Sequence, residues 1–372
     1  MKTVFLLSHI PDPRINKRIA VAKQYSEVTV ICVRRSSQNL YEPYHKDITH
    51  EILNIDLPPA RQMMKRILVS QTYKKRAVAL LNKYAPDVIF TGGLDSLEIA
   101  ANYKRKHPKT EIIYEVADLR ESYIETPSSI IGRFITNQIK RKEKSLFKYV
   151  NKLIVTSEKF YDIYYNNLIE RKNCIFMPNI PNIQIFNDYK KKDKGPFTIG
   201  FIGGIRYLKQ MKLLVDAAER SGCRIIFAGA GGTTKDYEEI FKYCKGKSYV
   251  QFTGKYNYAT DISKLYGSVD CVYAVYDADN PNVRIALPNK LYEAVYCQLP
   301  LLVAKGTYLS EVVNNWGVGI AVSHTDCDDL VSVLNRMKSD NCLMATMSQA
   351  CKNSYDKIDS TVYDLNFARC FQ

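Results

Sequence analysis

No stretch of about 18 consecutive apolar residues occurs in the 372-residue sequence, so no membrane-spanning helix is expected. The opening run, Met1-Lys2-Thr3-Val4-Phe5-Leu6-Leu7-Ser8-His9, ends at Pro11 and Asp12. It lacks the apolar region of about 7–15 residues and the small-residue cleavage site of a secretory signal. A buried first strand and a cytoplasmic protein are expected instead. Histidine is scarce, with five residues, and the ten cysteines stand singly with no C-x-x-C. None pairs with a histidine at zinc-like spacing, so structural zinc is not expected. Free, mostly buried thiols in a reducing compartment fit this pattern. No repeat of 20–50 residues is evident beyond a general alternation of strand and helix.

Charge of one sign is in excess. The net charge is +15, with hydrophobic residues at 46% and charged residues at 24%, an ordinary balance for a globular chain. Residues 1–185 hold 30 Lys/Arg against 18 Asp/Glu, and the remainder holds 23 against 20. The positive field therefore belongs to the first half. It suits an anionic partner: a membrane surface, a nucleic acid or a phosphorylated substrate.

Short apolar runs alternate with amphipathic stretches. Strands are expected at Thr3–Leu7, Val28–Val33, Glu51–Ile55, Val88–Thr91, Ile112–Val116, Leu153–Thr156 and Ile175–Met177. Helices are expected at Ile15–Tyr25, Arg61–Tyr84, Leu94–Lys106 and Ile130–Phe147. The second half repeats the scheme. Its strands are expected at Thr198–Ile202, Arg224–Ala228, Tyr249–Phe252, Cys271–Val275, Leu301–Val303 and Gly319–Val322. Helices are expected at Lys209–Arg220, Lys235–Lys245, Ala259–Tyr266, Asn289–Cys297 and Asp328–Lys338. Such alternation implies α/β architecture with two parallel, doubly wound sheets. Pro178-Asn179-Ile180-Pro181-Asn182 and the charge run from Lys190 to Pro196 mark a linker, placing the domains at 1–185 and 196–354. A terminal helix at about 355–372 is expected to pack back on the first domain. Ligands of such sheets bind beyond the carboxyl ends of the strands, and two facing domains would put a cleft there.

Three turns carry the chemistry. Gly200-Phe201-Ile202-Gly203-Gly204-Ile205-Arg206-Tyr207-Leu208-Lys209 reads as a strand, paired glycines and a helix start. Glycines admit a ligand close to the backbone, and a helix N-terminus favours an anion. Arg206 offers a planar fork and Lys209 a point charge to one diphosphate; the alternative is a tight turn with two solvated bases. The spacing is not the G-x-G-x-x-G of dinucleotide binders. Ile226-Phe227-Ala228-Gly229-Ala230-Gly231-Gly232 is a second glycine-rich turn. The third is Leu287-Pro288-Asn289-Lys290-Leu291-Tyr292-Glu293-Ala294-Val295, where Pro288 can open a helix. Glu293 would face the strand ends and accept from two vicinal hydroxyls, as on a ribose. Its alternative is a solvated glutamate complementing the helix dipole.

With Phe252-Thr253-Gly254-Lys255-Tyr256, these turns resemble, in order and spacing, the GT-B-fold retaining glycosyltransferases of family 4, particularly those building bacterial capsule, exopolysaccharide or O-antigen. The resemblance extends to Pro11-Asp12-Pro13-Arg14-Ile15-Asn16-Lys17-Arg18, Tyr114-Glu115-Val116-Ala117-Asp118-Leu119, Val155-Thr156-Ser157-Glu158 and Met177-Pro178-Asn179. It implies two Rossmann-like domains across a cleft, with an acceptor on the first and a nucleotide-sugar on the second. Gly203, Gly204, Arg206, Lys209, Gly229, Tyr256, Pro288, Asn289, Lys290, Leu291 and Glu293 would then form the donor site, with Arg206 and Lys209 on the diphosphate and Glu293 on the ribose. Arg14 would lie on the acceptor side. His9 would point toward the acceptor, or be structural; Asp118 would orient the acceptor hydroxyl, or cap a helix. The implied reaction moves a sugar with retention from a UDP- or GDP-sugar to a lipid-diphosphate-linked saccharide. It needs no cofactor, and cationic groups rather than a metal stabilise the leaving diphosphate.

Two positions depart from the family pattern. Ile285 stands where the first glutamate of Glu-x7-Glu would touch the sugar, and Arg284 or Asn282 is the nearest substitute. Ala117 replaces the histidine usually preceding Asp118. Asp277-Ala278-Asp279 resembles the metal-binding Asp-x-Asp of another transferase fold, but the two-domain βα pattern does not suit that fold. In the first half, Lys65-Arg66, Lys74-Lys75-Arg76, and Lys140-Arg141-Lys142 with Lys144 lie on helical stretches with apolar neighbours such as Met63, Met64, Ile67, Leu68, Phe134, Ile135 and Ile139. A basic helix with an apolar side can rest on an anionic leaflet, so a peripheral position on the inner face of the cell membrane is expected. The alternatives to a transferase are a nucleotide-sugar 2-epimerase, which would need more cleft carboxylates and histidines, and a non-catalytic sugar-nucleotide-binding scaffold. No nucleic-acid-reading module is recognisable.

Overall fold

The computed structural model describes residues 1–34, 41–56, 63–124, 129–191, 195–231 and 235–372, with the side chains of 63–68, 121 and 122 set aside. The chain divides into two compact units, Met1–Pro178 with Ser360–Gln372, and Asn179–Asp359.

The first unit holds seven parallel strands: β1 (Lys2–Leu6), β2 (Glu27–Arg34), β3 (Thr49–Asn54), β4 (Val88–Gly92), β5 (Glu111–Val116), β6 (Lys152–Val155) and β7 (Cys174–Phe176), in the order β3-β2-β1-β4-β5-β6-β7. The order reverses between β1 and β4, the switch point of a doubly wound sheet. Helices Pro13–Ala22, Met63–Tyr84, Leu94–Lys104 and Ile130–Leu146 occupy the stretches expected for them. Pro13 opens the first of these, and the Asp12 carboxylate caps it by accepting from the Ile15 amide.

The second unit holds six parallel strands: β8 (Thr198–Ile202), β9 (Arg224–Ala228), β10 (Val250–Gly254), β11 (Cys271–Ala274), β12 (Leu301–Ala304) and β13 (Gly319–Val322), in the order β10-β9-β8-β11-β12-β13. Its switch point lies between β8 and β11. The buried faces of β8, β9 and β11 bring Phe201, Phe227 and Tyr273 into one core with Met211, Leu214 and Val215 of the helix Leu208–Ser221. The sheets are covered on both faces, which explains their near-continuous apolar strands.

The division falls at Pro178–Asn179, at the start of the expected linker and ahead of the first domain's expected end at 185. The cause is Phe186, which is buried against Tyr266 and Tyr296 of the second unit. At the other end Tyr355 still belongs to the second unit, its hydroxyl donating to the Tyr296 carbonyl. The crossing back therefore starts at Ser360 rather than about 355. The helix Ser360–Ala368 returns to the first unit, with Phe367 edge-on to Phe90 at 5.9 Å. Among the described residues, no helix is long and apolar enough to cross a membrane.

Candidate functional site: the carboxyl ends of the second sheet

Three glycine turns at neighbouring strand ends are tied together. The Gly203 amide donates to the Ala228 carbonyl at 2.8 Å, the Ile205 amide to Ala230 at 3.2 Å, and the Gly229 amide to Gly254 at 3.0 Å. Gly203 and Gly229 have φ of +131° and +139°, a region essentially closed to other residues. A Cβ on Gly229 would lie 2.0 Å from the Gly203 carbonyl oxygen. Gly203 and Gly229 are thus required by backbone geometry before any ligand is considered.

Lys290 reaches this turn from the third motif. Its Nζ donates to the Tyr276 hydroxyl at 2.8 Å and lies 4.8 Å from the centre of the Phe201 ring. A Cβ on Gly203 would stand 3.0 Å from that Nζ. Phe201 is on β8 and Tyr276 follows β11, so the ammonium sits at the switch point. Arg206 and Lys209 are exposed, and among the described residues neither forms an ion pair. The Arg206 guanidinium lies 5.5 Å from the Tyr207 ring, which is tilted against Tyr276 at 5.1 Å. Tyr207 takes φ of +69° before the helix Leu208–Ser221, and its amide donates to Asp236 at 3.0 Å.

Glu293 lies one turn beyond Lys290 on the helix Asn289–Tyr296. It is 4% exposed, so the solvated alternative is excluded. Its Oε1 accepts from the Tyr258 hydroxyl and its Oε2 from the Tyr266 hydroxyl, both at 2.5 Å. Burial and this carboxylate both raise the pKa values of the two tyrosines well above the ordinary value. Tyr256 is pushed up to about 12, by burial first and then by Glu293. Each carboxylate oxygen keeps further acceptor capacity. Pro288 precedes the helix and gives its first amides no side-chain cap.

Leu291 is fully buried, so its side chain faces the core, and its amide donates to the Pro288 carbonyl in the first turn of the helix. Three residues not singled out from the sequence enter the site: Tyr258, Tyr266 and Tyr276. Their signal was position, two of them on the turn or helix after Tyr256 and one just past β11. Ile285 is buried in the short helix Pro281–Ile285, whereas Arg284 is exposed and donates through Nε to the Ala278 carbonyl.

Asp277, Asp279 and His324 also meet beyond β11 and β13. Their ligand atoms lie within 4.8 Å of one another, with Nδ1 of His324 at 3.6 Å from Oδ1 of Asp277. Among the described residues this is the one group with metal-like convergence. Its geometry also fits a histidine–aspartate ion pair.

In the first unit, the Arg14 guanidinium donates to Glu115 at 2.8 Å and to Asp12 at 3.3 Å. Burial opposes its charge, but Glu115 and Asp12 outweigh that and raise its pKa. Arg18 joins the same Glu115 oxygen at 3.3 Å and the Met177 carbonyl at 3.2 Å. Arg14 thus pairs with the buried Glu115 and the partly exposed Asp12. Nε2 of His9 stands 3.9 Å from Asp12, and Asp118 is exposed just past β5. Of the basic residues, Lys74 and Lys142 both reach Glu98, at 3.8 and 2.7 Å, so one carboxylate is shared between two ammonium groups and offsets one of their two charges. Lys140 lies over the Tyr123 ring. Lys75, Arg76, Arg141 and Lys144 are exposed. The side chains of Lys65 and Arg66 lie outside the described residues, as do those of Met63, Met64, Ile67 and Leu68. Ile135 and Ile139 are half-buried, while Phe134 is exposed.

Residues 182–354 match the family model described as glycosyl transferases group 1. The succinoglycan biosynthesis protein ExoL of Rhizobium meliloti is 24% identical over 272 residues, covering 69% of this chain and 65% of that protein. The chain thus spans less than two thirds of that relative's length. Among solved structures, HepE of Anabaena in complex with UDP superposes with a TM-score of 0.73 at 17% identity, covering 100% of this chain and 99% of the other. Sucrose-phosphate synthase of Thermosynechococcus elongatus gives a TM-score of 0.77 at 14% identity, covering 100% and 98%. The chain has the GT-B fold, and residues 182–354, most of its second unit, are similar to glycosyl transferases group 1.

Proposed function

We propose that this protein is a glycosyltransferase of family 4 type. It moves a sugar, with retention, from a nucleotide-sugar to a saccharide carried on a lipid diphosphate, in the synthesis of a surface polysaccharide. The observation that carries the reading is the spacing of Lys290 and Glu293. One cation at the switch point and one buried carboxylate a helical turn further on, about 4.5 Å along the axis, match the diphosphate and ribose of one nucleotide. The UDP-bound state of HepE and the name of ExoL support the donor class and the pathway class.

In this reading the bond between the anomeric carbon and the diphosphate oxygen breaks. The acceptor hydroxyl gives its oxygen to the same face of that carbon, and its proton passes to the leaving diphosphate oxygen. Charge grows on the leaving diphosphate, where Lys290, Arg206 and Lys209 stabilise it in place of a metal. Glu293 takes the ribose hydroxyls. The acceptor lies on the first unit, near the ends of β1 and β5, and its lipid holds the protein to an anionic membrane. Asp118 remains the candidate for the acceptor hydroxyl, with His9 beside Asp12 as its alternative.

Incubation with UDP-, GDP-, ADP- and CMP-sugars, followed by thermal stabilisation and slow donor hydrolysis, tests the proposal. One nucleotide class is expected to stabilise and be hydrolysed; no binding of any of them would sink it. Buried Ile285 favours a second reading, a binding subunit without catalysis, which predicts stabilisation with neither hydrolysis nor transfer. Metal independence predicts that excess chelator leaves turnover unchanged. A loss restored by Mg2+ or Mn2+, and abolished in Asp277→Asn, would place a metal at Asp277, Asp279 and His324.

A further inference from the structure

The helix Ile130–Leu146 presents an unusual outer face. Its first turn carries Ile130, Ile131 and Phe134, exposed to 77%, 74% and 62%. Ile130 and Ile131 are the two most exposed large apolar side chains among the described residues. Large apolar groups clustered in one turn and left in water mark an interaction surface. The roll of the helix is fixed from the inside. Glu143 is fully buried, and its Oε1 accepts from the Tyr114 hydroxyl at 2.9 Å and from Arg120 Nε at 3.1 Å. That anchor turns Ile130, Phe134, Arg141 and Lys144 outward along one stripe, at the spacing of a single helix face.

The stripe is polarised along its length. The apolar turn comes first, and Arg141 lies about 16 Å further along the axis. Among the described residues, Arg133, Arg141 and Lys144 make no ion pair, and Glu143, the one acidic residue of the helix, is buried. The exposed charge of this helix is therefore wholly positive. A protein partner would need an acidic rim around an apolar pocket. An anionic bilayer supplies both features at once, phosphates at the surface and hydrocarbon beneath.

We propose that Ile130, Ile131 and Phe134 insert into the headgroup–acyl boundary of an anionic bilayer, while Arg133, Arg141 and Lys144 hold the lipid phosphates. The inference rests on the membrane-bound acceptor of the preceding reading, and it replaces a diffuse basic face by one helix with an apolar tip.

The test is flotation of the full chain with vesicles of phosphatidylcholine alone and of phosphatidylcholine with phosphatidylglycerol. The chain is expected to float with the anionic vesicles. The variant Ile130→Ser, Ile131→Ser, Phe134→Ser should lose about tenfold or more of that binding, and Arg141→Glu with Lys144→Glu should lose a similar share. In a Trp316→Phe background, which removes the single tryptophan, Phe134→Trp should give an indole emission that shifts to the blue on anionic vesicles. UDP binding by the serine variant should stay unchanged and serves as the folding control. If the serine variant floats like the parent and the indole emission of the Phe134→Trp variant stays fixed while the charge variant is lost from the vesicles, insertion is wrong and the contact is electrostatic only. If the parent floats with neither vesicle, the membrane reading itself fails and the insertion with it.

Discussion

Replacing Glu293 by glutamine probes the ribose end with little change of shape. The parent side chain is buried, and each carboxylate oxygen accepts one tyrosine hydroxyl. Glutamine keeps one acceptor, and its amide can donate to the other phenol oxygen, so the fold should survive. What disappears is the negative charge. A hydrogen bond to a charged group contributes about 1.5–3 kcal/mol. Losing one such bond to a ribose hydroxyl weakens UDP binding by about 10- to 150-fold. The protein itself loses one charge-assisted bond to Tyr258 or Tyr266, so a lower unfolding midpoint accompanies the change. Calorimetric titration with UDP measures the first effect, and thermal unfolding without ligand measures the second. If UDP affinity stays within about twofold of the parent, less than 0.5 kcal/mol, while the midpoint falls, the reasoning is refuted. Glu293 would then be a structural carboxylate that holds two tyrosines together.

Lys290→Met keeps the apolar stem over Phe201 and removes the ammonium; UDP binding should fall about tenfold or more while uridine binding stays unchanged, as titration of both ligands would show. Gly229→Ala forces a Cβ into the Gly203 carbonyl at a backbone angle closed to alanine. Strain and overpacking together cost about 2–6 kcal/mol, read from denaturant unfolding by the emission of Trp316, which lies in the second unit. Stability should also fall in alkali. Burial raises the Cys32 and Cys351 thiols to about 12, and burial followed by Glu293 does the same for the Tyr256 phenol. The native state keeps protons that the unfolded chain releases, so this stabilisation is complete below the ordinary values and declines as pH rises from about 9 toward 12. Denaturant midpoints across that interval should drop, and a flat profile would contradict the burial.

The strands were legible because a parallel sheet covered on both faces demands short, nearly continuous apolar runs, and Thr198–Ile202 or Val28–Val33 have no other use. The helix Tyr308–Trp316 shows the limit of periodicity. With nine residues it is short, and its plainest marks are Thr307 as cap and Gly317 in a left-handed turn. The return of Ser360–Ala368 to the first unit has no local code, since it depends on Phe367 meeting Phe90 far away in sequence. The site divides the same way. Gly203 and Gly229 could be read directly because their φ values admit little else, and Lys290 and Glu293 share a helix whose spacing is visible. The tyrosines that orient them come from other elements, as does the Glu98 shared by Lys74 and Lys142. A count of basic residues cannot show which charges are already spent.

That distinction between spent and available charge bears on how the site works. In the first unit, Arg14, Arg18 and Arg120 meet buried carboxylates, which fixes the fold and cancels the charge. In the second unit, Lys290 is oriented by the phenol of Tyr276 and by the face of Phe201. Glu293 is oriented by the phenols of Tyr258 and Tyr266. A carboxylate beside Lys290, or a cation beside Glu293, would hold either side chain at least as firmly. It would also neutralise it, and a diphosphate or ribose would then have to displace the partner before binding. Neutral hydroxyl partners avoid that competition, because they fix direction without supplying an opposing charge. The two groups do not pair with each other either, although they stand one turn apart on the same helix. Each therefore remains available to a ligand that carries the opposite character at that same spacing, anionic at one end and hydroxyl-bearing at the other.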